Sequence, residues 1–98
     1  MPHRQISWLP GALQDLRRLR EFIQSKNPAA AKKAAYSIKE ALAILQENPK
    51  AGMPLFEALQ GFHDLMVPFG RNGYIVRYRE DGDGIVIVRV WHTREDRP

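Results

Sequence analysis

The chain of 98 residues contains no cysteine. Disulfide bonds, thiolate zinc sites and thiol catalysis are therefore excluded, and a reducing compartment is the expected setting. No apolar run approaches the roughly 20 residues that a membrane-spanning helix needs. The first residues also lack the apolar segment of a signal peptide. We therefore expect a cytoplasmic protein that does not contact a membrane.

Motifs for metals, cofactors and hydrolytic triads are also missing. The histidines, at positions 3, 63 and 92, are scattered and do not have the spacing of metal ligands. No glycine-rich loop of the kind that holds phosphates is present, and no Ser-His-Asp arrangement stands out. We therefore expect neither a metal nor a cofactor.

Positive charge is concentrated in one part of the chain, whose formal net charge is +4. Seven basic residues and two acids lie between Leu13 and Lys39, whereas six arginines and five acids nearly balance over residues 71–98. A basic face of this kind attracts an acidic protein or a nucleic acid. The alternative is a solvated helix face without a partner.

The first half of the chain predicts a short strand followed by two helices. Polar and apolar residues alternate over residues 4–8, which suits a strand, and Pro10-Gly11 is expected to end it. Apolar residues three and four apart then predict a helix over Ala12–Ser25. A second helix is expected to open at Asn27-Pro28 and to end at Asn48-Pro49. The short connection between them predicts an antiparallel hairpin.

The second half predicts three strands. Runs rich in Val, Ile, Tyr and Phe cover His63–Phe69, Tyr74–Arg79 and Ile85–Trp91. Turns are expected between them at residues 70–73, where Asn72-Gly73 favours left-handed backbone, and at 81–84. The order β-α-α-β-β-β predicts an α+β fold, with the antiparallel helical hairpin packed on one face of an antiparallel β-sheet.

The ending of the chain combines an aromatic strand with Tyr74 and Tyr78, an acidic turn at Asp81–Gly84, a Val/Ile-rich strand at Ile85–Val90, and then His92 and Arg94. In this ending above all, and in its order of elements, its length and its basic balance, the chain resembles the RelE/ParE superfamily of bacterial toxins. The resemblance implies one toxin domain over residues 1–98. It implies the toxin of a type II toxin–antitoxin, or plasmid stabilisation, module that forms a hetero-oligomer with a cognate antitoxin.

The resemblance also implies one of two activities. The RelE-like branch cleaves messenger RNA in the ribosome, with strand lysines, two arginines and often a C-terminal tyrosine. The ParE-like branch poisons DNA gyrase by binding. Here the strand at His63–Phe69 has no Lys or Arg, Ile75 stands where the RNase branch places an arginine, and no tyrosine follows Arg94. We therefore favour the ParE-like branch, with the ribosome-dependent endoribonuclease as the alternative.

His92 is the best candidate for a general base if the chain cleaves RNA, with Arg94 as its partner. An unperturbed pKa of about 6.5 suits proton transfer at neutral pH. Strand alternation groups His92 with Val86, Val88 and Val90, and we expect this valine face to pack on the helices. A structural hydrogen bond at the edge of the core is therefore favoured over catalysis.

A cationic surface is the other candidate site. Alternation places Arg89 and Trp91 on the open face of the sheet, whereas Arg77 shares one side of its own strand with Ile75 and Arg79. The residues predicted to bind the target or the antitoxin are Arg71, Arg77, Arg89, Trp91 and Arg94. Arginine forks suit phosphate or carboxylate, and a tryptophan suits stacking or anchoring. The alternative is pairing of these arginines with acids close in sequence: Glu80, Asp81, Asp83, Glu95 and Asp96.

Overall fold

A computed structural model describes residues 4–95 as two helices on one face of a five-stranded sheet. The helices are α1 (Pro10–Lys26) and α2 (Pro28–Glu47). The strands are β1 (Ile6–Trp8), β2 (Met53–Pro54), β3 (Phe62–Phe69), β4 (Asn72–Asp81) and β5 (Gly84–His92), with a short 3₁₀ helix at Glu57–Leu59. The sheet order is β1-β5-β4-β3-β2. The predicted α+β class, with a helical hairpin on one sheet face, is confirmed.

The sheet is mixed, so the prediction of a purely antiparallel sheet is wrong for one strand. β1 pairs in parallel with β5, with Ile6 opposite Ile85 and Trp8 opposite Ile87. The other pairs, β2–β3, β3–β4 and β4–β5, are antiparallel as expected. Because β1 pairs with the strand most distant from it in sequence, no turn fixes its direction. The order of elements alone could not reveal it.

The helix ends follow local chemistry. Helix α1 begins at Pro10, two residues before the predicted start at Ala12. A proline is tolerated there because the N–H groups of the first helical turn have no partner within the helix. Asn27 caps α2 as predicted, since its Oδ1 accepts a hydrogen bond of 3.2 Å from the Ala30 N–H. Pro28 follows it as the first residue of α2.

The β3–β4 turn differs from its prediction. Phe69 pairs with Asn72, and the left-handed residue is Gly70, with φ of 62°. Gly73 is instead required by close packing, because a Cβ there would lie 2.4 Å from the Val67 carbonyl oxygen. The Asn72-Gly73 pair therefore begins β4 and does not form the turn.

A β-bulge at Val88 changes which residues of β5 face the helices. Arg77 pairs with Arg89 and Tyr78 pairs with Ile87, so Val88 has no residue opposite it. One extra residue reverses the alternation of side chains along the strand. Isoleucines 85 and 87 and Val90 therefore all enter the helix-side core, whereas Val86 lies outside it. The expectation of a valine face on the helices is wrong for this reason.

Candidate functional site

Asp15 is the centre of a charged contact between α1 and β5. It occupies the buried stripe of α1 and is 2% exposed. Its carboxylate accepts hydrogen bonds from Arg89 Nε at 2.7 Å, Arg18 Nη1 at 2.7 Å and the Val90 backbone N–H at 2.9 Å. The last bond satisfies a strand N–H beyond the point where β1 ends. Asp15 therefore joins the helix to the edge of the sheet.

The environment of Asp15 favours its ionised form. Burial by itself would raise the pKa of this carboxyl group, since the charged form loses water. Hydrogen bonds from Arg89, the Val90 amide and Arg18, together with the charge of Arg89, outweigh burial and lower the pKa below its ordinary value. Asp15 is therefore a permanent anion near neutral pH.

A second ion pair lies on the face of the sheet opposite the helices. Arg77 and Asp64 are cross-strand neighbours in β4 and β3. Nε of Arg77 lies 2.8 Å from one carboxylate oxygen of Asp64, and Nη2 lies 3.1 Å from the other. Each side chain is 10% exposed. This is the two-bonded fork geometry that arginine forms with carboxylates.

Trp91 links the two ion pairs. Its side chain is 2% exposed and lies on the same face as Arg77 and Arg89, opposite Ile75. The guanidinium carbons of Arg77 and Arg89 lie 4.7 and 5.4 Å from its ring, within cation–π range. We call this set the Trp91 network: Asp15, Asp64, Arg77, Arg89 and Trp91.

The acids that engage the two arginines are distant in sequence. The sequence offered partners near the turns and after β5, whereas the observed partners are Asp64 in β3 and Asp15 in α1. Two sequence signals existed. Asp15 lies at helical spacing from the apolar residues Ala12 and Leu19, and Asp64 is the one acidic residue of β3.

The segment after β5 forms the tip, which we define as His92, Thr93 and Arg94 with the adjoining Arg71 and Asn72. Arg71 and Arg94 are exposed. Nε of Arg94 donates to Asn72 Oδ1 at 3.3 Å, and the Thr93 N–H donates to the Gly73 carbonyl at 3.0 Å. The tip is therefore attached to the start of β4, and two arginine side chains project there.

His92 lies at the edge of the core, on the helix side of the sheet. Its ring meets Tyr74 edge-on, with ring centres 5.5 Å apart. Its Nδ1 accepts a hydrogen bond of 3.2 Å from the Arg94 backbone N–H. Its own backbone N–H donates to Glu95 Oε1 at 2.9 Å. The structure thus places His92 beside Arg94, with one ring nitrogen already engaged.

Residues 4–95 contain neither a cluster of metal ligands nor a helix that could span a membrane. In this range no three His, Asp or Glu side chains are grouped as ligands for a metal ion. Nor does the same range contain a helix that is long and apolar enough to span a membrane.

Comparison with known proteins identifies the family. Residues 6–97 match the family described as the ParE toxin of the type II toxin–antitoxin system, parDE. The chain is 30% identical over 86 residues to Toxin RelE1 of Caulobacter vibrioides, covering 88% of this chain and 89% of the relative. It therefore belongs to the ParE toxin family of type II toxin–antitoxin systems, within the ParE/RelE superfamily.

Solved structures share the fold. The chromosomal ParDE toxin–antitoxin system of P. aeruginosa contains a chain with a TM-score of 0.73 at 22% identity, covering 94% of this chain and 98% of that one. The toxin–antitoxin complex RelBE2 of Mycobacterium tuberculosis contains one with a TM-score of 0.64 at 24% identity, covering 93% and 99%. At these identities the likeness establishes the architecture alone.

Proposed function

We propose that the chain is a ParE-like toxin that inhibits DNA gyrase by binding to it and is neutralised by a cognate antitoxin. The engagement of Arg77 and Arg89 by Asp64 and Asp15 carries this proposal. An RNA-cleaving site needs free cationic groups aimed at the phosphate. These two guanidinium groups already have carboxylate partners.

The rest of the proposed RNase machinery is sparse. Cleavage by 2′-hydroxyl attack requires a base, an acid and stabilisation of the charge on phosphorus. The tip offers His92 and Arg94, but β3 carries no lysine or arginine, and Ile75 is buried against Trp91. This set is smaller than the reaction needs, which supports action by binding.

The exposed arginines of the tip are the proposed contacts with the target. Arg71 and Arg94 project to solvent beside each other in the fold, where they suit an acidic protein surface. Arg77, Arg89 and Trp91 are proposed to contribute to the same surface by holding β5 and the tip in place. The Trp91 network gives this surface a rigid support.

An antitoxin partner is supported by the family and by the shared fold. The structural relatives from P. aeruginosa and M. tuberculosis come from a toxin–antitoxin system and a toxin–antitoxin complex. We extend this arrangement to the present chain, which would form a hetero-oligomer with its antitoxin in the bacterial cytoplasm.

Ribosome-dependent cleavage of messenger RNA is the second candidate. The hydrogen bond from the Arg94 backbone N–H to His92 Nδ1 favours it, because it brings together at the tip the two residues that we predict for such a site. The RelE names of the Caulobacter relatives favour it as well.

Two parallel assays separate the candidates. The purified chain is added to a DNA gyrase supercoiling reaction and to ribosomes translating a defined messenger RNA. We expect loss of supercoiling and intact messenger RNA. Active gyrase together with cut messenger RNA would reverse the assignment.

Two variants locate the site in these assays. Arg94→Ala is expected to weaken gyrase inhibition about tenfold, the effect of losing one well-placed contact. Arg20→Ala, which changes an exposed arginine of α1 that is not part of the tip, is the matched control. His92→Gln is expected to leave gyrase inhibition unchanged, whereas in the second candidate it would abolish messenger RNA cleavage.

A further inference from the structure

Residues 92–95 form a turn that is closed by hydrogen bonds between its two ends. The Glu95 backbone N–H donates to the His92 carbonyl oxygen at 2.9 Å. In the opposite direction, the His92 backbone N–H donates to Glu95 Oε1 at 2.9 Å. Arg94 lies within this turn, so the closure of the turn determines the position of the Arg94 backbone.

An arginine of α1 holds the carboxylate that closes this turn. Arg18 Nη2 donates to Glu95 Oε1 at 3.1 Å, and the same oxygen accepts the His92 N–H. A second nitrogen of the Arg18 guanidinium group, Nη1, donates to Asp15 Oδ1 at 2.7 Å. Arg18 therefore connects the buried anion of α1 to a turn that lies 77 residues later in the chain.

Glu95 is ionised near neutral pH. Burial by itself raises the pKa of its carboxyl group. Hydrogen bonds from the His92 N–H and from Arg18, together with the charge of Arg18, outweigh burial and lower the pKa below its ordinary value. An ionised carboxylate accepts stronger hydrogen bonds than a neutral group does. The turn is therefore closed by a charged acceptor.

The exposure of the Arg18–Glu95 pair limits its contribution to stability. The side chain of Arg18 is 43% exposed and that of Glu95 is 36% exposed. Water and salt screen charges at such positions, so an ion pair there changes the free energy of unfolding little. Without Arg18, Asp15 would still accept hydrogen bonds from Arg89 and from the Val90 N–H. The pair therefore matters for the shape of the turn more than for the stability of the chain.

The hydrogen bonds of Arg94 itself are long and exposed. Its backbone N–H donates to His92 Nδ1 at 3.2 Å, and its Nε donates to Asn72 Oδ1 at 3.3 Å. Both distances lie at the long end of the range for protein hydrogen bonds. They hold Arg94 beside Asn72 only while the turn keeps its form, and that form depends on Glu95.

We propose that Arg18 and Glu95 are positioning residues of the tip, which hold the 92–95 turn in the form that directs the Arg94 guanidinium group at the target. The inference rests on the function proposed above, in which Arg94 contacts the target. Arg18 and Glu95 act through Arg94 and do not themselves bind the target. The link between α1 and the tip is a single oxygen, Glu95 Oε1, which both Arg18 and the His92 N–H share.

Amide hydrogen exchange, measured by NMR on the full chain, tests the positioning without any partner. In Arg18→Ala the His92 amide should exchange about fivefold faster, because its acceptor is no longer held in place. The urea midpoint should stay close to that of the wild type. Arg17→Ala, at the neighbouring exposed position of α1, is the control and should leave the exchange rate within about twofold. A His92 amide that is equally protected in Arg18→Ala and in the wild type would overturn the proposal.

The gyrase supercoiling assay tests whether the two residues act through Arg94. Arg18→Ala and Glu95→Ala should each weaken inhibition about fivefold, less than Arg94→Ala does. The double variant of Arg18 and Glu95 should be no weaker than Glu95→Ala alone, and Glu95→Ala should add nothing to Arg94→Ala. Additive losses would show separate contacts with the target and overturn the proposal.

Glu80→Ala is the matched control for Glu95→Ala. Glu80 pairs with Lys50, and its side chain is 36% exposed, as is that of Glu95. The variant therefore removes an exposed ion pair of the same kind from a position that is not part of the tip. Inhibition should stay within about twofold of the wild type. An equal loss in both glutamate variants would overturn the special role of Glu95.

The two measurements separate this proposal from the proposed target. A wild-type chain that leaves gyrase active, while the exchange of the His92 amide still depends on Arg18, supports the positioning of the tip and contradicts only the target. A chain that inhibits gyrase equally well with and without Arg18 and Glu95 supports the target and overturns the positioning role.

Discussion

Oδ2 of Asp15 lies 2.7 Å from Nε of Arg89, 74 residues later in the chain. The same oxygen accepts the Val90 backbone N–H at 2.9 Å. One carboxylate thus holds a cation and a strand amide at the edge of the sheet just beyond β1. The position of β5, and with it the tip, depends on a residue of the first helix.

Asp15→Asn should destabilise the fold by about 2 kcal/mol. The amide keeps the shape of the side chain but loses its charge and cannot accept all the hydrogen bonds that the carboxylate does. Arg89 and Arg18 remain partly exposed, so water compensates some of the loss. Urea unfolding measures the change. Glu21→Gln, at an exposed position of the same helix, is the control and should change stability by less than about 0.5 kcal/mol.

Stability should fall in acid because of Asp15. Its folded-state pKa lies below its unfolded value, since the hydrogen bonds from Arg89, Val90 and Arg18 outweigh burial. The stabilisation is therefore fully present above the unfolded pKa, about 3.9. It is lost as the pH falls through the lower folded-state pKa. Unfolding free energies measured from pH 6 downward should decline less steeply in Asp15→Asn than in the wild type, and equal slopes would contradict the role of Asp15.

Two buried tyrosines of β4 should respond oppositely to loss of the hydroxyl. The Tyr78 hydroxyl donates to the Pro49 carbonyl at 2.7 Å and accepts from the Gly52 N–H at 2.9 Å. Tyr78→Phe leaves both groups unpaired and should cost about 2 kcal/mol. Tyr74→Phe removes an unpaired hydroxyl and should leave stability unchanged or raise it. Thermal and urea unfolding compare the two variants directly, and equal losses would contradict the assigned hydrogen bonds.

Gly52→Ala should cost about 2 kcal/mol through crowding. A Cβ there would lie 2.8 Å from the Tyr78 hydroxyl and 3.0 Å from the Asp64 carbonyl oxygen, and the strand backbone cannot move aside. Gly11→Ala is the matched control, because its Cβ would lie at an ordinary 3.5 Å from Arg89 Cδ. In helix α1 this control should gain about 0.5 kcal/mol. Unfolding by urea gives both values.

Arg77→Lys should destabilise the chain by about 1–2 kcal/mol although it keeps the charge. A lysine cannot make both hydrogen bonds to Asp64, and it loses the cation–π contact of the guanidinium group with Trp91. Arg79→Lys, two residues along the same face of β4, is the control. The intrinsic fluorescence of Trp91 should change in the first variant and not in the second. If both variants unfold at the same denaturant concentration as the wild type, the two-bonded contact between Arg77 and Asp64 contributes nothing to stability.

Local chemistry in the sequence predicted the elements well. The Asn27 cap and the apolar spacing of α2 depend on residues close to one another, so the helical hairpin could be derived from them. Features created between distant segments were missed. The parallel pairing of β1 with β5 joins strands that are far apart in the chain, and the bulge at Val88 is a property of two strands together.

In the candidate site, too, features set by neighbouring residues were predicted and contacts between distant segments were missed. Strand alternation correctly grouped Arg89 with Trp91 and placed His92 on the helix side of the sheet, because the bulge precedes all three. It could not reveal that Asp15 and Asp64 engage the two arginines, since each acid comes from another element. Arg71 and Arg94 are exposed because Arg71 lies in the β3–β4 turn and Arg94 lies just after β5. The sequence does indicate both of these positions.

The parallel pairing of β1 with β5 has a consequence for biosynthesis. Ile6 is synthesised well before its partner Ile85. Contacts between distant segments also form slowly, because a long loop must close first. The nascent chain therefore lacks its full sheet and its tip until β5 has been synthesised. A partner that needs the finished sheet or the tip can therefore bind only after β5 has emerged from the ribosome.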